Sequence, residues 1–294
     1  MHRISPLTRP IVTLLALTAL VALGGIPASA ATWKVNCDPA TGPDSLTING
    51  GIALAADGDT IVVQTCLIFP FTYNESVVIA TRTGLHLVAA DGGFFGTATE
   101  GVGAPLFGAW PVVIDASGLG SCVEITSSED ILVSGFAMTN AGADGVFIES
   151  SNRVTIENNR IDRPSFSGVI DIDSHNNRIV GNVVTRTGIE GISLSKCTRC
   201  LVNDNRVLRL GLAGISLDGA DGSVVTNNEV QQATTDGIHV VSGIAQRVVR
   251  NTSVGNVGVD ILIDTLAVDT DVIGNDVAAA PLDLGTGTDA AVNF

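Results

Sequence analysis

The chain has 294 residues, with 30 acidic against 15 basic side chains, a formal charge of −15 and only 4% aromatic residues. So acidic a surface repels nucleic acid and anionic membrane, which argues against both as partners. One elongated β-rich domain of this length is ordinary, so no second domain is required.

Residues 1–30 read as a secretory signal peptide, with a basic start (His2, Arg3, Arg9), an apolar run over 11–24 and the small-residue cleavage site Ala28-Ser29-Ala30. That run is short for a membrane span and nothing later replaces it. The expectation is a secreted or extracytoplasmic protein, not inserted in the membrane after cleavage. Removing the leader takes away Arg3 and Arg9 but no acidic residue, so the exported chain is more acidic still. Five cysteines in such a chain invite disulfides. Cys37 and Cys66 flank the first structural unit, and Cys197 and Cys200 share one turn; Cys122 is left as a buried thiol.

Residues 31–60 are expected to form an N-terminal cap. Within it, 44–57 carries Leu46, Ile48, Ile52 and Leu54 before Gly58, a pattern that suits a short amphipathic helix. Strand patterns begin at 61 and continue to 277, and 278–294 is a last partial coil or tail. Residues 92–111, with Phe94, Phe95, Phe107 and Trp110 among glycines, read as a long loop.

From 144 to 251 the chain repeats itself. Gly145, Gly168, Gly191, Gly214 and Gly237 recur every 23 residues, and so do Asn159, Asn182, Asn205, Asn228 and Asn251. After each Gly comes a short alternating run such as Gly191-Ile-Ser-Leu, and apolar positions flank the Asn column at Ile156, Ile179 and Val202 and at Ile161, Val184 and Val207. Period-2 alternation in runs this short argues strands, three to a repeat. A unit so small cannot bury its own apolar face, so repeats must stack and share a core. The Asn column is expected to take left-handed turn positions and to bond from coil to coil. The Gly column is expected to mark a turn where a side chain would clash or φ is positive.

This pattern resembles the right-handed parallel β-helix repeat proteins of the pectate-lyase-like superfamily. The resemblance implies an all-β solenoid of about nine or ten coils with a capping helix, and it says little about activity, because that fold carries many unrelated chemistries. It also directs attention to the strand face after the Gly column, which binds polysaccharide in members of known activity.

Alternation turns Phe147 and Glu149, Ser193 and Ser195, Ser216 and Asp218, and His239 outward on that face. In the coil beginning at Gly168, strict spacing would bury Asp171, which is costly without a partner. A one-residue shift, burying Ile170 and Ile172 and turning Asp171 and Asp173 outward, is the expectation. The candidate catalytic residues are then Asp171, Asp173, Asp218 and His239, with Glu149, Phe147 and Lys196 as substrate-binding residues. Carboxyls two positions apart suit an inverting glycosidase or a Ca²⁺ site, and Ca²⁺ is the one cofactor in view. A solvated acidic face is the competing reading.

The motifs resembling those of polygalacturonases (adjacent Asp-Asp, Gly-His-Gly, Arg-x-Lys) do not occur here, and a lyase base at the cleft is represented only by Lys196. A zinc set of His175, Cys197, Cys200 and Asp221 yields to a local disulfide in an oxidising compartment. A copper-handling β-helix resembling that of nitrous oxide reductase maturation would offer more Met and His than Met138, His86, His175 and His239. The sequence reading is therefore a secreted, monomeric protein that binds an extracellular polysaccharide on an acidic strand face. Cleavage, by lyase or hydrolase chemistry, stays open. The alternative is a non-catalytic structural or adhesive module of the cell surface.

Overall fold

A computed structural model describes residues 29–66, 72–90 and 112–289. The leader up to residue 28 and the loop expected over 92–111 lie outside these residues. The chain winds as a parallel β-solenoid. Each full coil contributes one strand to each of three parallel sheets, of ten, eight and nine strands among the described residues. The 23-residue spacing sets the register. Ile156 lies beside Ile179 and Ile179 beside Val202 in the first sheet, and Ile161 beside Val184 beside Val207 in the second. In the third, Val146, Val169, Ile192 and Ile215 stack in line. All of these side chains are buried in one continuous apolar core.

The Asn column lies inside this core rather than at a surface turn. Asn159, Asn182, Asn205, Asn228 and Asn251 are at most 1% exposed. After Asn159, whose Oδ1 accepts from Phe136 N, each Oδ1 accepts from the backbone and the side chain of the Asn one coil earlier: Asn182 N and Nδ2 donate to Asn205 Oδ1 at 2.9 and 3.0 Å, and Asn205 N and Nδ2 to Asn228 Oδ1 at 2.9 Å each. Each Nδ2 also reaches a carbonyl of the preceding coil, as Asn205 does to Ile179 O at 2.8 Å. The left-handed backbone expected of these Asn residues belongs to the residue before each of them. Asn158, Asp204, Asn227 and Arg250 have φ of 55°, 54°, 56° and 58°, and Gly181 has 65°. That corner faces solvent, so the position tolerates several residue types; the inner one needs a side chain with both donor and acceptor.

The Gly column is a matter of space, not of φ. A Cβ on Gly191 would sit 2.5 Å from Gly214 O, and one on Gly168 the same distance from Gly191 O. Past Val240 the even period breaks. The pairing shifts between Val240 and Ser242, and the next Asn contact, Asn251 to Asn275, spans 24 residues.

The expected helix is present as Ile48–Leu54, with Thr47 as its N-cap. Glu75 accepts from the first backbone N–H groups, Ile48 N at 2.7 Å and Asn49 N at 2.9 Å, where the positive end of the helix dipole favours a carboxylate. Ile48 and Ile52 close the apolar end of the core, and a Cys37–Cys66 disulfide ties this region to the first coils. At the other end, strand Leu282–Asp283 pairs with Ile261–Val268 as a partial coil.

Replacing Asn205 by Ala leaves Asn182 N and Nδ2 without their acceptor and opens the ladder in its middle. Buried groups left unpaired cost about 1–3 kcal/mol each. Denaturant unfolding of Asn205→Ala should show a loss of at least about 2 kcal/mol. Asn227→Gly, at the exposed left-handed corner, should unfold like the unmodified protein.

Candidate functional site

The outward face of the third sheet carries one unbroken column of half-buried side chains, Glu124, Phe147, Ile170, Ser193, Ser216, His239 and Leu262. Beside it runs a second column, Thr126, Glu149, Ile172, Ser195 and Asp218. Strand pairing at roughly 4.8 Å makes the first column a strip about 30 Å long. Two of the polar side chains on this face are paired: His239 Nε2 of the first column lies 3.1 Å from Asp264 Oδ2, and Asp218 Oδ1 of the second accepts from Ser242 Oγ at 2.6 Å.

Two expectations for this face are corrected. Asp171 does not point outward. The coil keeps strict register, Asp171 lying beside Ile148 and Leu194, and its side chain is fully buried in the column Ile125, Ile148, Asp171, Leu194, Leu217 and Val240. Ile170 and Ile172 are the outward residues, so the strip is apolar at this coil, where carboxylates were expected. Asp173 is not on the strand either. With φ of 50° it occupies the left-handed corner that ends it, in line with Ser150 (51°) and Lys196 (53°). Lys196 Nζ lies 3.7 Å from Asp173 Oδ1 there, an exposed ion pair. Glu149 and Asp218 are exposed and Phe147 is half-buried on the face, as expected. The facing pair that acid–base hydrolysis would use is therefore not assembled from Asp171 and Asp173.

The buried carboxylate has company that strict spacing also supplies. Asn177 takes a position held by Ile131 and Val154 in earlier coils, and its Nδ2 donates to both oxygens of Asp171 at 2.9 and 3.2 Å. Cys197 Sγ sits 2.9 Å from Asp171 Oδ2 and Cys200 Sγ 4.0 Å. The two cysteines form the expected disulfide. Burial pushes the Asp171 carboxyl up to about 6, against the downward pull of the Asn177 and Ser174 hydrogen bonds and of nearby His175. Among the described residues, Asp171, Cys197 and Cys200 are the only three His, Cys, Asp or Glu side chains whose ligating atoms converge, all within 4.8 Å. The set weighed and set aside in the sequence had His175 and Asp221 in place of Asp171. Those two lie outside the coil, lining a groove of about 580 Å³ with Thr198 and Arg199, the residues between the cysteines.

The Arg column at 163, 186 and 209 does not present a row of unopposed cations. Arg186 bonds Asp162 at 2.8 and 2.5 Å, and Arg163 lies 3.3 Å from the same carboxylate. Burial works against ionisation of Asp162, but the Arg186 and Thr185 hydrogen bonds prevail and hold its carboxyl below the usual range.

Residues 112–260 match the family described as periplasmic copper-binding protein (NosD). No curated protein matches the sequence. Among solved structures, an alginate lyase from Paenibacillus sp. str. FPU-7 is similar at 16% identity and a TM-score of 0.66, over 90% of this chain and 94% of that one. XylC in complex with xylose is similar at 13% identity and 0.61, over 87% and 67%. A pectate lyase is similar at 10% identity and 0.60, over 90% and 79%. At these identities the likeness is one of fold.

The Asp171 environment sets a pH dependence. Its folded pKa lies above its unfolded value, so the folded state holds the extra proton between about 4 and 6. Stability contributed by this group is fully present below about 4 and is lost as pH rises to about 6. The span of about two units corresponds to roughly 3 kcal/mol. The stability difference between Asp171→Asn and the unmodified protein should shift by that order between pH 4 and pH 6.5 (about the two ends of the span), measured by denaturant unfolding. A difference that stays constant with pH would contradict the assignment.

Proposed function

We propose a function from this premise: the chain belongs to the periplasmic copper-binding protein (NosD) family. It is an extracytoplasmic solenoid that binds a linear polysaccharide along the outward strip of its third sheet, without cleaving it. The disulfides support the location, since such bonds persist in oxidising compartments. Among the described residues no helix is long and apolar enough to cross a membrane.

The observation that carries the binding reading is the column from Glu124 to Leu262, open to solvent and uninterrupted over seven coils. Phe147 and Ile170 offer an apolar surface for a sugar ring face, and Ser193, Ser216 and His239 offer hydroxyl and imidazole partners for its edge. Such a mix, a flat apolar patch with a few polar groups, is how proteins hold carbohydrate-sized ligands. The overall charge of −15 favours a neutral polymer over a polyuronate, unless Ca²⁺ bridges the acids. Two lyases and a xylose-bound protein among the solved structures share the fold, which makes the same face the first place to look. Cleavage is set aside because Asp171 is internal and Asp173 is paired with Lys196 at a corner.

Copper enters through the family's description. The described residues fit it at one place, Asp171 with Cys197 and Cys200, and only as a dithiol: a disulfide sulfur offers no thiolate.

Affinity electrophoresis in gels containing neutral glucans, xylans or uronate polymers, with and without Ca²⁺, tests the reading. Retardation is expected in a neutral polymer, with no new reducing ends and no unsaturated product. Phe147→Ala combined with Ser193→Ala should weaken it about ten-fold, or ~1.4 kcal/mol. Degradation of any polymer, or retardation unchanged by the double variant, would overturn it.

A further inference from the structure

The interior of this solenoid is aliphatic wherever the third sheet faces it, except at one coil. Asp171 stands where Ile148 precedes it and Leu194, Leu217 and Val240 follow, and Asn177 stands where Val154 precedes it. In the next coil, Cys197 and Cys200 occupy interior corner positions held one coil earlier by Ser174 and Asn177. The departures are adjacent and face the same point. A buried carboxylate costs several kcal/mol of desolvation unless something compensates it, and the coil needs no charge to close, since its neighbours close with Leu or Ile. Asn177 meets part of the cost with its two N–H donors. The remaining neighbours of the carboxylate are Ser174, which hydrogen-bonds it, and the two sulfurs.

We propose that Asp171, Cys197 and Cys200 form a reduction-gated site for a soft d¹⁰ cation, Cu(I) or Zn(II). The proposal is independent of the polysaccharide reading, which concerns the opposite side of the same strands. The three ligating atoms lie within 4.8 Å of one another, a spread that a single ion can bridge, with metal–sulfur bonds of about 2.3 Å and metal–oxygen bonds of about 2.1 Å. Thiolates select soft cations over Ca²⁺ and Mg²⁺. Asn177 fixes the carboxylate while leaving it lone pairs to give, the outer support that ligands of metal sites usually have. Access comes through the turn. Thr198 and Arg199, which join the cysteines, form part of the wall of the surface groove, and His175 and Asp221 line the same groove as way-station ligands.

The disulfide is the closed state. A dithiol reductant opens it: the reductant's two sulfurs join and are oxidised, and the Cys197–Cys200 bond breaks, its sulfurs taking up two electrons and two protons. The cation then replaces both thiol protons, which leave to solvent, and takes Asp171 as third ligand. Without the cation a disulfide oxidant restores the Cys197–Cys200 bond: the oxidant's own S–S bond breaks and takes up the two electrons and two protons that the thiols give up.

The test uses the Cys122→Ser protein, so that the one free thiol does not contribute. Cu(I) and Zn(II) are titrated separately, under dithiol reduction with the excess removed anaerobically, against a chromophoric chelator. One equivalent of at least one cation should bind the reduced protein, and none the oxidised one. Cys197→Ser/Cys200→Ser, which keeps Cys37 and Cys66, should lose that equivalent. Asp171→Asn should weaken it by roughly ten-fold or more, since loss of even an outer partner costs about 10–100-fold. Thermal melts of each variant without metal report folding. If the cysteine variant does not fold, the oxidised-against-reduced comparison decides on a Cys122→Ser protein that also carries Cys37→Ser and Cys66→Ser, since reduction would otherwise free those two thiols as well. Equal binding in both redox states, retention by the folded double-Ser variant, no binding of either cation, or an unchanged affinity in Asp171→Asn would each overturn the site.

Discussion

Each interior side chain of this solenoid has the residue one coil before it and the residue one coil after it as fixed neighbours, at the spacing of paired strands. That constraint explains most of the molecule. A side chain that packs or bonds with its own kind can repeat indefinitely, so Val, Ile and Leu fill the sheets and Asn fills one corner. Asn suits the corner because its amide gives and takes at once: in Asn205, Oδ1 accepts from a backbone N–H and Nδ2 donates to a carbonyl of the coil before. The Gly column obeys the same rule from the other side, for a Cβ would meet the carbonyl of the next coil.

The period was legible because it is exact over five coils, and it carried the fold, the core positions and the outward face with it. Three single-residue expectations differ from the structure: the occupant of the left-handed corner, the direction of Asp171, and the place of Asp173, which ends its strand at a corner. The left-handed corner was assigned to Asn159 and its equivalents, although it belongs to Asn158 and its equivalents. Both positions favour Asn for different reasons, and a repeat of Asn-Asn at 158–159, 176–177 and 227–228 does not say which amide is inside. At Asp171 the register argument and the solvation argument conflicted, and solvation was given precedence. The structure shows why register prevails: a slip would forfeit backbone hydrogen bonds to both neighbouring coils, whereas Asn177, six residues on, supplies donors to a buried carboxylate. That partner is visible as an Asn following Ile131 and Val154 in its column, but only once both breaks are seen as one event.

Family and fold bear differently on what the protein does. The solved structures of similar shape, two lyases and a xylose-bound protein, are 10–16% identical to this chain, and their likeness to it is one of fold. The family match covers the coils from 112 to 260, and its description concerns copper. Few His and Met residues argue against a copper-handling solenoid, yet the match stands; the sulfurs of Cys197 and Cys200 lie inside the coil, joined as a disulfide. The strip and the sulfur cluster lie back to back on the same strands: Ile170 faces out while Asp171, its neighbour in sequence, faces in.

The break after Val240 shows how such a chain can change length. Where the spacing goes from 23 to 24, the extra residue is absorbed at a bulge, and the Asn contact is remade one coil later. Between Gly145 and Gly237 there is no such bulge, and a single inserted residue would put every later side chain out of line with its column. Excising one whole turn of the winding, by contrast, would bring each severed column back into contact with an equivalent residue. Heredity can therefore edit this stretch cheaply only in complete turns, which makes the length of the outward strip a quantised trait.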